Sequence, residues 1–278
     1  MGSIKVNPRS KNIKPTTIEL VKPDYNALVQ QLSTHSKLNK NRLRITSING
    51  KLINKNEELL DQTEVYVKDI GPQIGWRTVY LIEYFGPILV HYFIYNYLAQ
   101  NPISYKLIYQ MNLIHYGKRE IENVLVHKFS NSTMPLFNLF KNSFHYWVLG
   151  GSLSLMYLDL GNLSIPQLEK YLNPDYIFYI WVGAEFFNAV THIQLRLLGD
   201  KTVRKGLPRT PPSGGFFEIF ISPNYTMEIY GWICVFLLNP NIFTLIFLAV
   251  GATQMYFWSI KKQQKYGTKK SFLIPFIF

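Results

Sequence analysis

The chain has 278 residues, a formal net charge of +12 and 47% hydrophobic residues, yet only 17% of its residues are charged. An average soluble domain carries roughly 25% charged residues, so this low value with 15% aromatics excludes a disordered chain and argues against one ordinary soluble domain. A single cysteine, Cys234, excludes an internal disulfide framework and a cysteine-rich zinc site.

The mean hydropathy of zero averages two unlike parts. Residues 1–70 hold 12 Lys or Arg and 7 Asp or Glu, which is 19 of the 46 charged residues. The shift in composition places a domain boundary near Asp69–Pro72, giving domains 1–70 and 71–278. Met1 to Ser10 has no apolar run and no small-residue cleavage site, so no signal peptide is expected. Ile4-Lys5-Val6 and Ile18-Glu19-Leu20 read as strands around a turn containing Pro15. Ala27 to Leu32 has helical spacing, with Asp24 or Asn26 able to cap it. Leu43-Arg44-Ile45 and Val65-Tyr66-Val67 read as further strands, separated by the turn Asn49-Gly50. The order strand, strand, helix, strand, strand fits a small α+β ubiquitin-like (β-grasp) fold, and any other small α+β domain is the alternative.

Beyond residue 75 lie six long apolar stretches, roughly 77–98, 103–117, 142–158, 176–198, 217–238 and 242–260. A bilayer span needs about 20 residues, so 103–117 is short and 142–158 marginal. The turn Asn239-Pro240-Asn241 splits the last apolar run into two helices. With the first domain in the cytosol, 14 of the 17 basic residues after position 70 fall on the cytosolic side. That asymmetry fits six spans with both termini cytosolic. Basic residues also suit anionic lipid headgroups, so their charge alone calls for no phosphate ligand. An α-helical polytopic membrane protein with a small N-terminal domain is the expected fold class.

Ionisable residues inside spans are costly and mark functional sites. Glu83 lies within the first stretch, and Glu185 and His192 within the fourth. Asn188, His192 and Arg196 are spaced by four and form one polar face. Such a stripe can also hold helices together by hydrogen bonds. Pro223-Asn224-Tyr225-Thr226-Met227-Glu228 opens the fifth stretch, with Asn224 and Glu228 on one face and a tyrosine hydroxyl beside it. A helix N-terminus there adds N–H donors that favour an anion such as pyrophosphate. His115-Tyr116-Gly117-Lys118-Arg119-Glu120 has the character of an interfacial anchor. Of three glycosylation sequons, at Asn131, Asn162 and Asn224, only Asn162 faces the lumen in this topology. No glycine-rich dinucleotide fingerprint, Walker loop or nucleophile elbow is present. The six histidines form no histidine box, and no metal site is expected.

The last third resembles the steroid 5α-reductase family of membrane reductases. The residues that carry this are Gly215-Phe216-Phe217-Glu218, Ser222 to Ile229, Trp232 and the ending Leu273-Ile274-Pro275-Phe276. Within the family the chain is similar to the very-long-chain trans-2-enoyl-CoA reductases. This rests on Trp76 to Val79, Ile82-Glu83-Tyr84, His115 to Arg119, His127 to Ser130, Thr133-Met134-Pro135, Phe140-Lys141-Asn142 and Gln254 to Trp258. The match covers essentially the whole chain, and the ubiquitin-like domain belongs to this branch.

The resemblance implies a multi-pass endoplasmic reticulum enzyme. It would use NADPH to reduce the trans-2 double bond of long and very-long-chain enoyl-CoA, the last step of each fatty acid elongation cycle. The family's essential tyrosine falls on Tyr225, and Glu83 and Tyr116 would sit at the substrate carbonyl. Arg119, Asn188, His192, Arg196, Asn224 and Glu228 would line the cofactor, with Arg204, Lys205 and Arg209 as a basic rim. Partners implied are the enoyl-CoA, membrane lipid and other elongation-cycle enzymes; no nucleic acid is expected. The chain departs from the family after Trp258, where Lys261-Lys262-Gln263-Gln264-Lys265-Tyr266 lacks the usual histidine and the linker to the terminal proline motif is shorter. A reductase of a steroid or polyprenol enone, a non-catalytic membrane scaffold and a lipid transporter are the alternatives.

Overall fold

Apolar residues alternate along the first strands, so each strand has one face that must be covered. Ile4 and Val6, Ile18 and Leu20, Leu43 and Ile45, and Val65 and Val67 supply that face, and all are buried. In the computed structural model, which describes residues 2–129, 132–166, 172–204 and 210–277, they converge on one core with Leu28 and Leu32. Two compact units are present, Met1–Trp76 with Asn131–Phe140 and Arg77–Ser130 with Lys141–Phe278.

The first unit contains β1 (Gly2–Pro8), β2 (Thr16–Leu20), α1 (Tyr25–Ser36), β3 (Leu43–Thr46) and β4 (Glu64–Asp69). The sheet order is β2-β1-β4-β3, with β1 and β4 parallel and both outer pairs antiparallel. Asp24 caps α1, its carboxylate accepting from the Asn26 and Ala27 N–H groups at 2.9 and 3.3 Å. Gly50 adopts φ +77° in the turn after β3, a conformation that favours glycine. A second, two-stranded antiparallel sheet joins β5 (Gln73–Gly75) to β6 (Thr133–Pro135).

The second unit is helical. Its long helices are α2 (Trp76–Leu98), α3 (Pro102–Leu125), α5 (Pro174–Arg204), α6 (Pro223–Leu238) and α7 (Ile242–Tyr266); the short α4 (Phe137–Ser143), between α3 and α5 in the chain, is divided between the two units after Phe140. Tyr84, Met111, Tyr116, Met156, Trp181 and Trp232 lie in its core. Helices α5 and α6 form its most extensive pair. Asn241 ends the turn between α6 and α7; it caps α7 through the Phe243 N–H at 2.9 Å and donates to the Leu160 carbonyl at 2.8 Å.

The helices depart from the six apolar stretches in three places. The stretch 142–158 is not one helix. Its backbone widens into a π-helical turn over Phe144–Gly150 and tightens into a 3-10 turn over Leu153–Leu158. Adjacent glycines at 150 and 151 lower the local helix preference. Helix α3 runs on to Leu125 instead of stopping near 117, because Arg119, Glu122 and Asn123 are turned inward and buried. Helix α6 begins only at Pro223, where proline suits the first helical turn. Among the described residues, one helix, Ile242–Tyr266, is long and apolar enough to cross a membrane by length and composition.

In the first unit, Arg42 clamps Asp69 at 2.6 Å across β3 and β4. The Arg42 guanidinium holds the Asp69 carboxyl at about 2 instead of near 4, against a smaller opposing effect of burial. A carboxyl depressed in this way stabilises the fold above its unfolded value and ceases to do so as pH falls toward 2. Protection factors of the β3 and β4 amides, exchange rates taken relative to the intrinsic rate at each pH, should therefore fall between pH 4 and pH 2. Replacing Arg42 with Met should raise the exchange rate at pH 7 and remove most of that acid dependence.

Candidate active site

The chemistry-bearing residues of α2 sit beside a backbone interruption. Pro87 lacks the N–H that would bond the Glu83 carbonyl in a regular helix. Glu83 itself is buried, and among the described residues its Oε1 has no hydrogen-bond partner. On α3, Tyr116 is fully buried and its hydroxyl is likewise unpartnered among the described residues. Gly150 lies against that hydroxyl: a Cβ at this position would stand 2.7 Å from the Tyr116 oxygen.

One turn further along α3, Arg119 is the hub of a buried network. Its guanidinium donates to Glu122 Oε2 at 2.7 Å, to Tyr84 Oη at 2.9 Å and toward His192 Nδ1 at 3.0 Å. It also lies over the Tyr84 ring, 5.0 Å from the centroid. His192 meets Glu122 Oε2 at 2.9 Å, and Asn224 Nδ2 approaches His192 Nε2 at 3.5 Å. Asn188 extends the chain, donating to the Asn224 carbonyl at 2.7 Å and accepting from Lys118 Nζ at 2.5 Å. Lys118 in turn pairs with Glu185 at 2.7 Å, as does His115. Buried charges need such partners, since an unpaired one costs several kcal/mol.

Glu122, His127 and His192 bring their ligand-type atoms within 4.8 Å of one another. The cation bonded to two of these three is Arg119. Burial, with Arg119 and His192 close by, holds the His127 imidazole down to about 3, so it is neutral at physiological pH.

The residues singled out in the sequence thus fall into groups. Arg119, Asn188, His192 and Asn224 join in one network, and Asn224 Oδ1 is buried and unpartnered among the described residues. Glu228 lies within electrostatic reach of Tyr84, Tyr116, Tyr146 and Tyr225. Tyr225 packs 5.9 Å from Trp258 and takes the Lys262 ammonium over its ring at 4.3 Å. Arg196 donates to the Leu125 and Val126 carbonyls at the end of α3. Of the basic rim, Lys205 and Arg209 lie outside the described residues, and the Arg204 side chain does too. The sequence reading missed Tyr84, Tyr146, Glu122 and Lys262. Glu122 follows Lys118 and Arg119 by four and three residues, a spacing that signals a helical ion-pair partner.

Comparison with known proteins adds independent findings. Residues 132–278 match the family model described as 3-oxo-5-alpha-steroid 4-dehydrogenase. The chain is 35% identical to the very-long-chain enoyl-CoA reductase of Dictyostelium discoideum, over 90% of each protein. A protein of Schizosaccharomyces pombe named as an enoyl reductase is also 35% identical, over 95% of this chain and 93% of the relative. A Caenorhabditis elegans protein named as a very-long-chain enoyl-CoA reductase is 32% identical over 77% of this chain and 75% of its own.

Two substitutions probe this geometry. Glycine to alanine inside a helical segment ordinarily gains stability, but Gly150→Ala would press a methyl group onto the Tyr116 hydroxyl. Overpacking of this kind costs about 1–3 kcal/mol, so thermal unfolding in detergent should occur at lower temperature. Arg119→Met would strand Glu122 without its guanidinium and should destabilise the protein by roughly 3–5 kcal/mol. Arg119→Met combined with Glu122→Gln should recover part of that loss in the same measurement.

Proposed function

Because the chain belongs to the 3-oxo-5-alpha-steroid 4-dehydrogenase family and is an enoyl-CoA reductase, we propose that it reduces the trans-2 double bond of long and very-long-chain enoyl-CoA with NADPH, the last step of fatty acid elongation. The observation that carries this reading is similarity to such a reductase over 90% of each chain, together with the buried Glu83 Oε1 and Tyr116 hydroxyl, which have no hydrogen-bond partner among the described residues.

The donor set fits a dinucleotide. Buried Arg119, whose Nε has no partner among the described residues, and the N-terminal turn of α6 offer positive potential, and Asn224 Oδ1 offers an unused acceptor. Arg119, Asn188, His192, Asn224 and Glu228 would hold the cofactor. Arg196 would fix the end of α3 that carries Arg119. A bound reduced nicotinamide supplies the hydride that reaches the β-carbon. Negative charge then builds on the thioester oxygen, where Tyr116 and Glu83, once protonated, would donate hydrogen bonds. Tyr225 would deliver the proton to the α-carbon.

The same reading includes a membrane setting. Large apolar side chains face outward on α2 (Phe85, Phe93), α5 (Phe186, Leu197) and α7 (Val250, Phe257), as lipid contact requires. Six spans in the endoplasmic reticulum membrane, both termini cytosolic, are consistent with the sided basic residues. The sheet order β2-β1-β4-β3 with one helix between β2 and β3 supports a ubiquitin-like domain, cytosolic and available to other elongation-cycle enzymes.

The test uses purified full-length protein with trans-2-hexadecenoyl-CoA, following the cofactor absorbance of NADPH. Oxidation of NADPH with the enoyl-CoA, and not with a steroid enone, is the expected result. Tyr225→Phe should lower kcat by about 10²–10⁴, the usual contribution of a positioned proton donor, without shifting thermal unfolding. A fully active variant would remove Tyr225 from the chemistry.

A further inference from the structure

The last long helix carries three lysines near its end, and they differ in placement. Lys261 and Lys265 are exposed, whereas Lys262 is partly buried. Its ammonium donates to Ser222 Oγ at 2.9 Å and lies 4.3 Å from the centroid of the Tyr225 ring. Among the described residues no carboxylate forms an ion pair with it. Ser222 is fully buried and occupies the N-cap position of α6, yet its hydroxyl caps no backbone N–H. It is instead turned to Lys262. The Ser222 carbonyl accepts from the Tyr225 N–H at 2.9 Å, so the serine and the tyrosine are locked into one turn.

The position of Lys262 is itself held. Gln263, its neighbour, donates to the Lys270 carbonyl at 2.9 Å. The segment after α7 then ties back to α6: Thr226 Oγ1 donates to the Phe272 carbonyl and Tyr230 Oη to the Leu273 carbonyl, both at 2.6 Å. A cation has thus been fixed against one aromatic ring, where the ring's electron-rich face attracts it.

We propose that Lys262 is a positioning residue for Tyr225: it fixes the ring in place and supplies the positive charge that stabilises the tyrosine oxygen once its proton has left. This rests on the reading of Tyr225 as the proton donor. In that step a hydride from a reduced nicotinamide forms the new C–H bond at the β-carbon. The π electron pair of the double bond moves to the α-carbon and takes the Tyr225 proton. The O–H bond breaks, its electron pair stays on the phenol oxygen, and a proton from water restores the tyrosine. Negative charge appears beside Lys262 only after the O–H bond begins to break, so its stabilisation is greater in the transition state than in the ground state. The other charged or titratable groups facing Tyr225 are Tyr80 on α2, Arg119 on α3 and Glu228 on its own helix.

A double-mutant cycle in the purified full-length protein tests this, with trans-2-hexadecenoyl-CoA and NADPH as substrates. Lys262→Met should lower kcat on the order of 10-fold, as expected of a partly desolvated cation–π contact, with KM nearly unchanged. Lys262→Arg should recover most of the rate, and Lys262→Met should change nothing in a Tyr225→Phe background. Independently of activity, the ¹³Cζ resonance of labelled Tyr225, identified by its loss in Tyr225→Phe, should shift in Lys262→Met without any ligand. A native kcat in Lys262→Met, an equal loss in both backgrounds, a rise in KM alone or an unmoved resonance would each overturn the proposal. A Tyr225→Phe enzyme at native rate would remove the proton-donor reading and the proposal with it. An inactive Tyr225→Phe beside a native Lys262→Met would overturn the proposal alone.

Discussion

A guanidinium buried among helices is the constraint around which the second unit is arranged. Arg119 has little water to solvate it, so the protein must supply its partners, and they come from different helices: Tyr84 on α2, Glu122 on α3 and His192 on α5. Each partner fixes the rotation of its helix, because a turn of one residue would carry the side chain about 100° away. Asn224 on α6 is drawn in through His192 and through Asn188. The charge therefore settles which faces of these helices look at one another, a task that apolar packing alone performs loosely. Satisfying it from protein groups costs stability relative to an apolar core.

Period and spacing made much of this legible. The strands of the first unit lie where alternation put them, because a half-buried strand can hide only every second residue. The polar stripe of α5 was equally visible, but its members do different things. Steps of four residues drift by about 40° each, so Asn188 and His192 meet the network while Arg196 has rotated far enough to reach the end of α3. Adjacent residues on α6 diverge in the same way. Asn224 turns to His192 and Tyr225 to Lys262 on α7.

What could not be read was set by tertiary contact. The run His115 to Glu122 has the composition of a membrane interface, and nothing local says that Arg119 and Glu122 point inward. The stretch 142–158 is apolar enough for a regular helix, yet its backbone changes pitch twice. At Gly150 the constraint comes from another helix, because the Tyr116 hydroxyl occupies the space that a side chain there would fill. Lys262 was one of a cluster of lysines until the fold separated it from its exposed neighbours. Wide turns of this kind recur at functional sites, where they re-aim side chains that a straight helix would misplace.

The tie between the segment after α7 and the start of α6 has a consequence for synthesis. The Phe272 and Leu273 carbonyls that receive Thr226 and Tyr230 are more than forty positions downstream of the residues they hold. Ser271 likewise exchanges backbone bonds with Ile219 and Ile221. Until the ribosome has released those downstream residues, the turn that carries Ser222, Asn224 and Tyr225 lacks its clasp. Helices α2, α3, α5 and α6 can form and pack, and Arg119 can meet Tyr84, Glu122 and His192, while the tyrosine end of the site is still open. Closure of the tyrosine end of the site thus waits on the synthesis of residues 271–273.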